Sequence, residues 1–100
     1  MIIVLARAEF DPARLDELEP ALEAMMRATW EESGCLSYSM AIESRSEGIC
    51  TIVERWRSEA DLKRHFETPH MAAFKSAIAG AVQSIDAKVY DVTGERPLLV

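Results

Sequence analysis

Two cysteines and four glycines are all that 100 residues hold of either type, and each scarcity closes off a class of protein. Cys35 and Cys50 make no disulfide framework and are too few for a structural zinc site. Two reduced thiols in or near a core are the ordinary state of such residues, and they suit the cytoplasm. Glycine forms no phosphate-cradling loop, and there is no G-x-S-x-G elbow, no H-E-x-x-H and no clustered Cys/His set. Nicotinamide, flavin and hydrolase readings therefore gain no support. Basic charge is short as well: 11 Lys and Arg stand against 17 Asp and Glu, a net charge of −6. That is the wrong sign for nucleic acid or an anionic membrane surface. No apolar run approaches the roughly 20 residues of a membrane helix. Met1 to Leu5 is apolar, but no basic segment precedes it and Arg7 and Glu9 interrupt it, so it reads as a strand rather than a signal peptide. No linker, low-complexity stretch or solenoid repeat divides the chain, and its length fits one domain, residues 1–100.

What the chain does have is clean periodicity. Residues 2–10 read as a strand, with Ile2, Val4, Ala6, Ala8 and Phe10 on one face, and Ile3 and Leu5 sharing the other with Arg7 and Glu9. Asp11-Pro12 is a helix start. Leu15, Leu18, Leu22, Met25 and Thr29 then recur in steps of three and four to about residue 32, with Pro20 expected to kink the helix or start a second segment. Gly34 can end it in a left-handed conformation. Residues 35–43 and 49–57 alternate on either side of a polar turn, which predicts an antiparallel hairpin. Ser58 caps a further helix, with Asp61 three residues on. Thr68-Pro69 interrupts it, and Met71, Phe74, Ile78, Ala81 and Val82 form a second stripe. Residues 85–93 predict a last strand, followed by a tail ending in Leu98-Leu99-Val100.

The order β-α-β-β-α-β predicts an α+β, ferredoxin-like fold with an antiparallel four-stranded sheet. Two helices cover one face of such a sheet, yet the strands carry apolar residues on both. A second copy packed sheet against sheet would cover the other, so a homodimer is expected.

The residues that bear chemistry are few. His65 and His70 suit proton transfer near neutral pH, and His65 shares a helix face with Leu62 and Phe66. A metal site is not expected: the two histidines lie five apart rather than four, and no carboxylate at a fixed spacing completes a set. Tyr38 and Trp56, on neighbouring hairpin strands, each offer an apolar body with one polar atom, which suits an aromatic ligand. Arg7, inside an apolar strand, either reaches solvent, pairs with a carboxylate or meets a ligand oxygen.

Two segments carry a family likeness. Glu32-Ser33-Gly34-Cys35-Leu36-Ser37-Tyr38-Ser39 resembles the E-P-G-C-L-x-Y segment of the antibiotic biosynthesis monooxygenase (ABM) domain. Glu54-Arg55-Trp56-Arg57-Ser58, then Leu62, His65, Thr68-Pro69-His70 and Phe74, resemble its E-x-W-x-S … L-x-x-H … T-P-H … F segment. The resemblance implies a dimeric α+β barrel and oxidation of quinols or anthrones by O2 without flavin, metal or other cofactor. On that reading Trp56 and Tyr38 flank the substrate ring, His65 accepts a proton, and Phe66, His70 and Phe74 line the substrate site. Arg7 is added from its strand position alone, as an oxyanion partner. A dimeric ligand-binding module without turnover is the alternative. Haem degradation, found on the same fold, is weaker. Aligned on Trp56, His65 stands where those enzymes carry a Trp and Lys75 near where they carry the iron ligand.

Overall fold

The computed structural model describes residues 1–99, so Val100, the end of the apolar tail, lies outside the described residues. Alternation in the first segment becomes β1 (Ile2–Phe10). Its side chains Ile2, Val4, Ala8 and Phe10 are buried. Asp11 caps a single 3-10 turn, Pro12–Arg14, that leads into α1 (Leu15–Trp30). The five residues of the predicted stripe, Leu15, Leu18, Leu22, Met25 and Thr29, are its buried face. Pro20 neither ends α1 nor divides it. The carbonyl it leaves without an N–H partner belongs to Asp16, four residues back and exposed, where water can bond it.

The hairpin follows as β2 (Cys35–Ser44) and β3 (Ile49–Trp56). The turn between them needs a left-handed residue, and Gly48 supplies it with φ 74°. A Cβ there would collide with the Phe10 carbonyl. Gly34 does not take the expected left-handed conformation, since Gly48 is the one glycine with positive φ among the described residues. What Gly34 supplies is space: a Cβ on it would overlap the Asp61 side chain.

Ser58 accepts from the Asp61 backbone N–H and starts α2 (Glu59–His65). Thr68 does the same for Met71 at the start of α3 (Pro69–Ile78). The last strand, β4 (Val82–Asp91), begins three residues before its predicted start. Val82 keeps the helical spacing of Ile78, but it pairs with Phe10 across an irregularity in the ladder. That contact is invisible to local periodicity.

The sheet order is β2-β3-β1-β4, and each neighbouring pair is antiparallel. The ferredoxin-like arrangement therefore holds. The expected barrel does not. β2 and β4 are the two ends of an open four-stranded sheet, and closure would need them to share a hydrogen-bonded ladder. Alternation reports which way side chains point and says nothing about whether two edges meet.

The helices cover the face that carries Val4, Cys50, Ile52 and Trp56, and the core lies between the two layers. The opposite face is bare, with Leu5, Val53 and Tyr90 exposed. Among the described residues no helix is long and apolar enough to cross a membrane.

Candidate functional site

A cavity of about 280 Å³ opens between the helical layer and the sheet. Its floor comes from β1, β2, β3 and β4, including Val4, Tyr38, Ile52 and Val89. Leu62 and Phe66 of α2, and Met71, Phe74 and Lys75 of α3, form the opposing wall. The register explains why these strands converge. Val4 stands opposite Glu54 on one side and Val89 on the other, and Glu54 in turn faces Tyr38. Side chains directly opposite in a ladder share a face. A shallower groove of about 360 Å³ lies between α1 and β2, rimmed by Arg27, paired with Glu23, and Arg45, paired with Asp16 and Glu19. It is polar at its edge, whereas the sheet cavity has the apolar lining of a small-molecule site.

The predicted site residues fall into three places. Tyr38, Phe66 and Phe74 line the cavity. Trp56 and His65 sit one layer behind them, both fully buried. The His65 ring centroid is 4.8 Å from that of Trp56 and 5.5 Å from that of Tyr38. His70 opens toward a separate crevice between α1 and α3, beside Ala24 and Ala73. Arg7 belongs to neither group. It lies on the bare face and pairs with Glu43 at 3.0 Å, the carboxylate option of the three open to it.

Two carboxylates that the residue-by-residue reading left without a role are central. Glu54 is buried on the cavity wall and accepts a 2.8 Å hydrogen bond from Trp56 Nε1. Burial pushes its carboxyl above the usual range; the Trp56 N–H opposes that shift, and the nearby Glu32 charge adds to it. A carboxyl whose pKa is raised by desolvation inside a cleft is a better proton acceptor than an ordinary one. Its signal was present in the sequence, because strict alternation from Cys50 and Ile52 to Trp56 turns Glu54 inward.

Glu32 stands in the turn after α1. Its Oε2 is 2.6 Å from His65 Nδ1 and 2.8 Å from His70 Nε2. With the carboxylate as acceptor, both of these nitrogens carry hydrogen, and His65 Nε2 is left buried without a partner. His65 is depressed below the usual imidazole value, chiefly by burial, against the pull of Glu32. Tyr38 is pushed strongly upward, again by burial first and then by the charges of Glu54 and Glu32. It stays a neutral phenol, able to donate. Burial acts on the thiols in the same direction, raising Cys50 to about 11 and also raising Cys35, which disfavours their thiolates.

The profile of the antibiotic biosynthesis monooxygenase (ABM) family matches residues 1–77. The chain belongs to the ABM family. Rv0793 of Mycobacterium tuberculosis is 32% identical over 77 residues, covering 77% of this chain and 75% of that relative. Its solved structure superposes with a TM-score of 0.83 over 96% of this chain and 98% of that one. The Escherichia coli protein named "Probable quinol monooxygenase YgiN" is 24% identical over 103 residues, covering 89% of this chain and 95% of its own. A solved chain from Deinococcus radiodurans, at 20% identity, reaches a TM-score of 0.89 with full coverage of both chains and so shares the fold. Membership places the protein among oxidoreductases related to quinol monooxygenases. Within the ABM frame the matched segments deliver Glu32, Tyr38, Glu54, Trp56, His65 and His70 to one region of the molecule.

Proposed function

We propose that this ABM protein is a cofactor-free oxygenase that oxidises quinol- or anthrone-type aromatic rings with O2 in the sheet cavity. The observation that carries the reading is an apolar, aromatic-walled cavity with a buried carboxyl of raised pKa, Glu54, on its wall.

The chemistry asks little of the protein. An anthrone or quinol becomes reactive to O2 once deprotonated. The resulting anion gives an electron to O2, and the two radicals combine as a ring hydroperoxide. Loss of water across the O–O bond then leaves one oxygen on the ring carbon. For an anthrone, a methylene plus O2 becomes a carbonyl plus water, with no outside reductant. Glu54 takes the first proton, because it lines the cavity whereas His65 lies behind the lining. Tyr38, held neutral, donates to the developing oxyanion. Phe66 and Phe74 contact the ring. Trp56 holds Glu54 through its indole N–H, and His65 packs on Tyr38 and Trp56. Arg7 has no part in this reading. The protein works as a homodimer through the bare sheet face, where Leu5, Val53 and Tyr90 await cover.

Oxygen uptake by metal-stripped protein given anthrone or menadiol tests the proposal. Saturable uptake above the uncatalysed rate, reduced about 100-fold or more in Glu54→Gln, supports it, since a positioned base contributes roughly 10²–10⁴. Unchanged uptake in Glu54→Gln removes Glu54 from the role. Tight binding of the aromatic with no uptake makes the protein a ligand-binding module instead.

A further inference from the structure

The Glu32 cluster has a chemistry of its own. Among the described residues, Glu32, His65 and His70 are a set whose one carboxylate oxygen and two imidazole nitrogens all lie within 4.8 Å of one another. Three elements meet to make it. His65 is the last residue of α2, His70 the second of α3, and Glu32 comes from the turn beyond α1. The Thr68 side chain fixes the approach of the two histidines by donating to the His65 carbonyl at 2.7 Å while it caps α3 at Met71.

We infer that Glu32, His65 and His70 form a binding site for a divalent first-row transition metal ion. The donor set is two imidazoles and one carboxylate, with no thiolate, which suits Zn²⁺, Fe²⁺ or their neighbours rather than calcium or magnesium. Three protein ligands leave at least one coordination position open. Both histidine nitrogens are aimed at the same oxygen, so the two N–H hydrogens occupy the space between ligands that a cation would take. Metal bonds of about 2.0–2.2 Å put tetrahedral ligands roughly 3.3 Å apart, so binding lengthens the two hydrogen-bonded contacts, now 2.6 and 2.8 Å, by roughly half an ångström or more. Glu32 and His70 are partly exposed, and the ion can reach them from solvent.

The state of His65 is a second, independent indication. Its side chain is 1% exposed, and with Nδ1–H given to Glu32 its bare Nε2 is, among the described residues, the one buried side-chain nitrogen or oxygen without a partner. Unpaired polar atoms in a core are costly and ask for a reason. With Nδ1 bound to a metal the hydrogen moves to Nε2, close to the Trp56 and Tyr38 rings, where an N–H is better placed than a lone pair.

The metal site stands apart from the oxygenase reading, and the two are tested on different samples: oxygen uptake on chelated protein, metal binding without any substrate. Full-length protein is stripped with chelator, freed of it and titrated with Co²⁺, followed by visible absorption, and then back-titrated with Zn²⁺. The expected result is one Co²⁺ per chain, displaced by Zn²⁺, with affinity at least about tenfold weaker in Glu32→Gln and in His70→Ala. Both variants change partly exposed side chains, and far-UV circular dichroism checks that each stays folded. Zn²⁺ should also raise the melting temperature of the wild type and leave that of either variant unmoved. No saturable Co²⁺ band, or binding that survives both substitutions, overturns the inference.

Discussion

Replacing Trp56 by Phe tests the link between the core and the site. Trp56 is fully buried, and its Nε1 donates at 2.8 Å to Glu54. Phenylalanine keeps an aromatic ring but removes the donor and leaves a small void. A hydrogen bond to a charged acceptor contributes about 1.5–3 kcal/mol, and the void costs roughly 1 kcal/mol more. The variant should therefore lose about 2–4 kcal/mol in urea unfolding, and its melting temperature should fall by roughly 10–30 °C. A double-mutant cycle separates the two contributions. In a Glu54→Leu background the acceptor is gone, and Trp56→Phe should cost only the void, so the coupling should equal the hydrogen-bond contribution, about 1.5–3 kcal/mol. Catalysis should move with it. The Trp56 N–H holds the Glu54 carboxyl down, so its removal lets that carboxyl rise further. Uptake that needs ionised Glu54 should then begin at higher pH than in the wild type. Equal costs in the two backgrounds, or a loss below about 1 kcal/mol, would refute the reasoning.

Three further outcomes are expected. Gly34→Ala should lose roughly 1–3 kcal/mol, because the added methyl overlaps an Asp61 side chain held by Arg57, Ser58 and Arg64; equilibrium unfolding reads it, and a neutral result would mean that Asp61 can move aside. Asp61 is held below the usual carboxylate value, first by Arg57 and then by Ser58 and Arg64. Its contribution is therefore present above the unfolded pKa and lost as pH falls through the lower folded one. The stability gap between wild type and Asp61→Asn should be wide at pH 7 and close under acid, and a gap independent of pH would contradict this. Arg7→Ala should change stability by no more than about 1 kcal/mol, since both partners of its ion pair are about half exposed, and it should leave oxygen uptake untouched; a large loss of uptake would bring Arg7 into the site.

Much of the fold was legible because it is local. Leu15 to Thr29 wrote the buried face of α1 in steps of three and four, and the hairpin alternation set the faces of β2 and β3. Where the reading failed, the deciding contact lay far along the chain. Val82 continues a helical stripe until Phe10, 72 residues earlier, captures it as a strand residue. Glu32 acquires its meaning from partners 33 and 38 residues away, so no fixed spacing could show the cluster. Glu54 and Arg7 are different, because parity alone placed them. Glu54 is in phase with buried Ile52 and Trp56, and Arg7 is in phase with exposed Leu5 and Glu9. An inward carboxylate in an apolar strand carried the stronger signal, and an arginine on the opposite parity the weaker one.

The position of β1 between β3 and β4 also governs how the molecule assembles. The first strand finds both neighbours in later parts of the chain: Ile2 pairs with Trp56 on one side and with Asp91 on the other. Such pairings close long loops, and their entropic cost comes before any reward. A nascent chain that has not reached Val82 holds β1 with one edge open and its apolar residues half covered, the condition in which strands find wrong partners. The cavity then lacks the wall that Ile85 and Val89 supply. The sheet cavity is thus completed only when β4 joins, after the helices and the hairpin are in place.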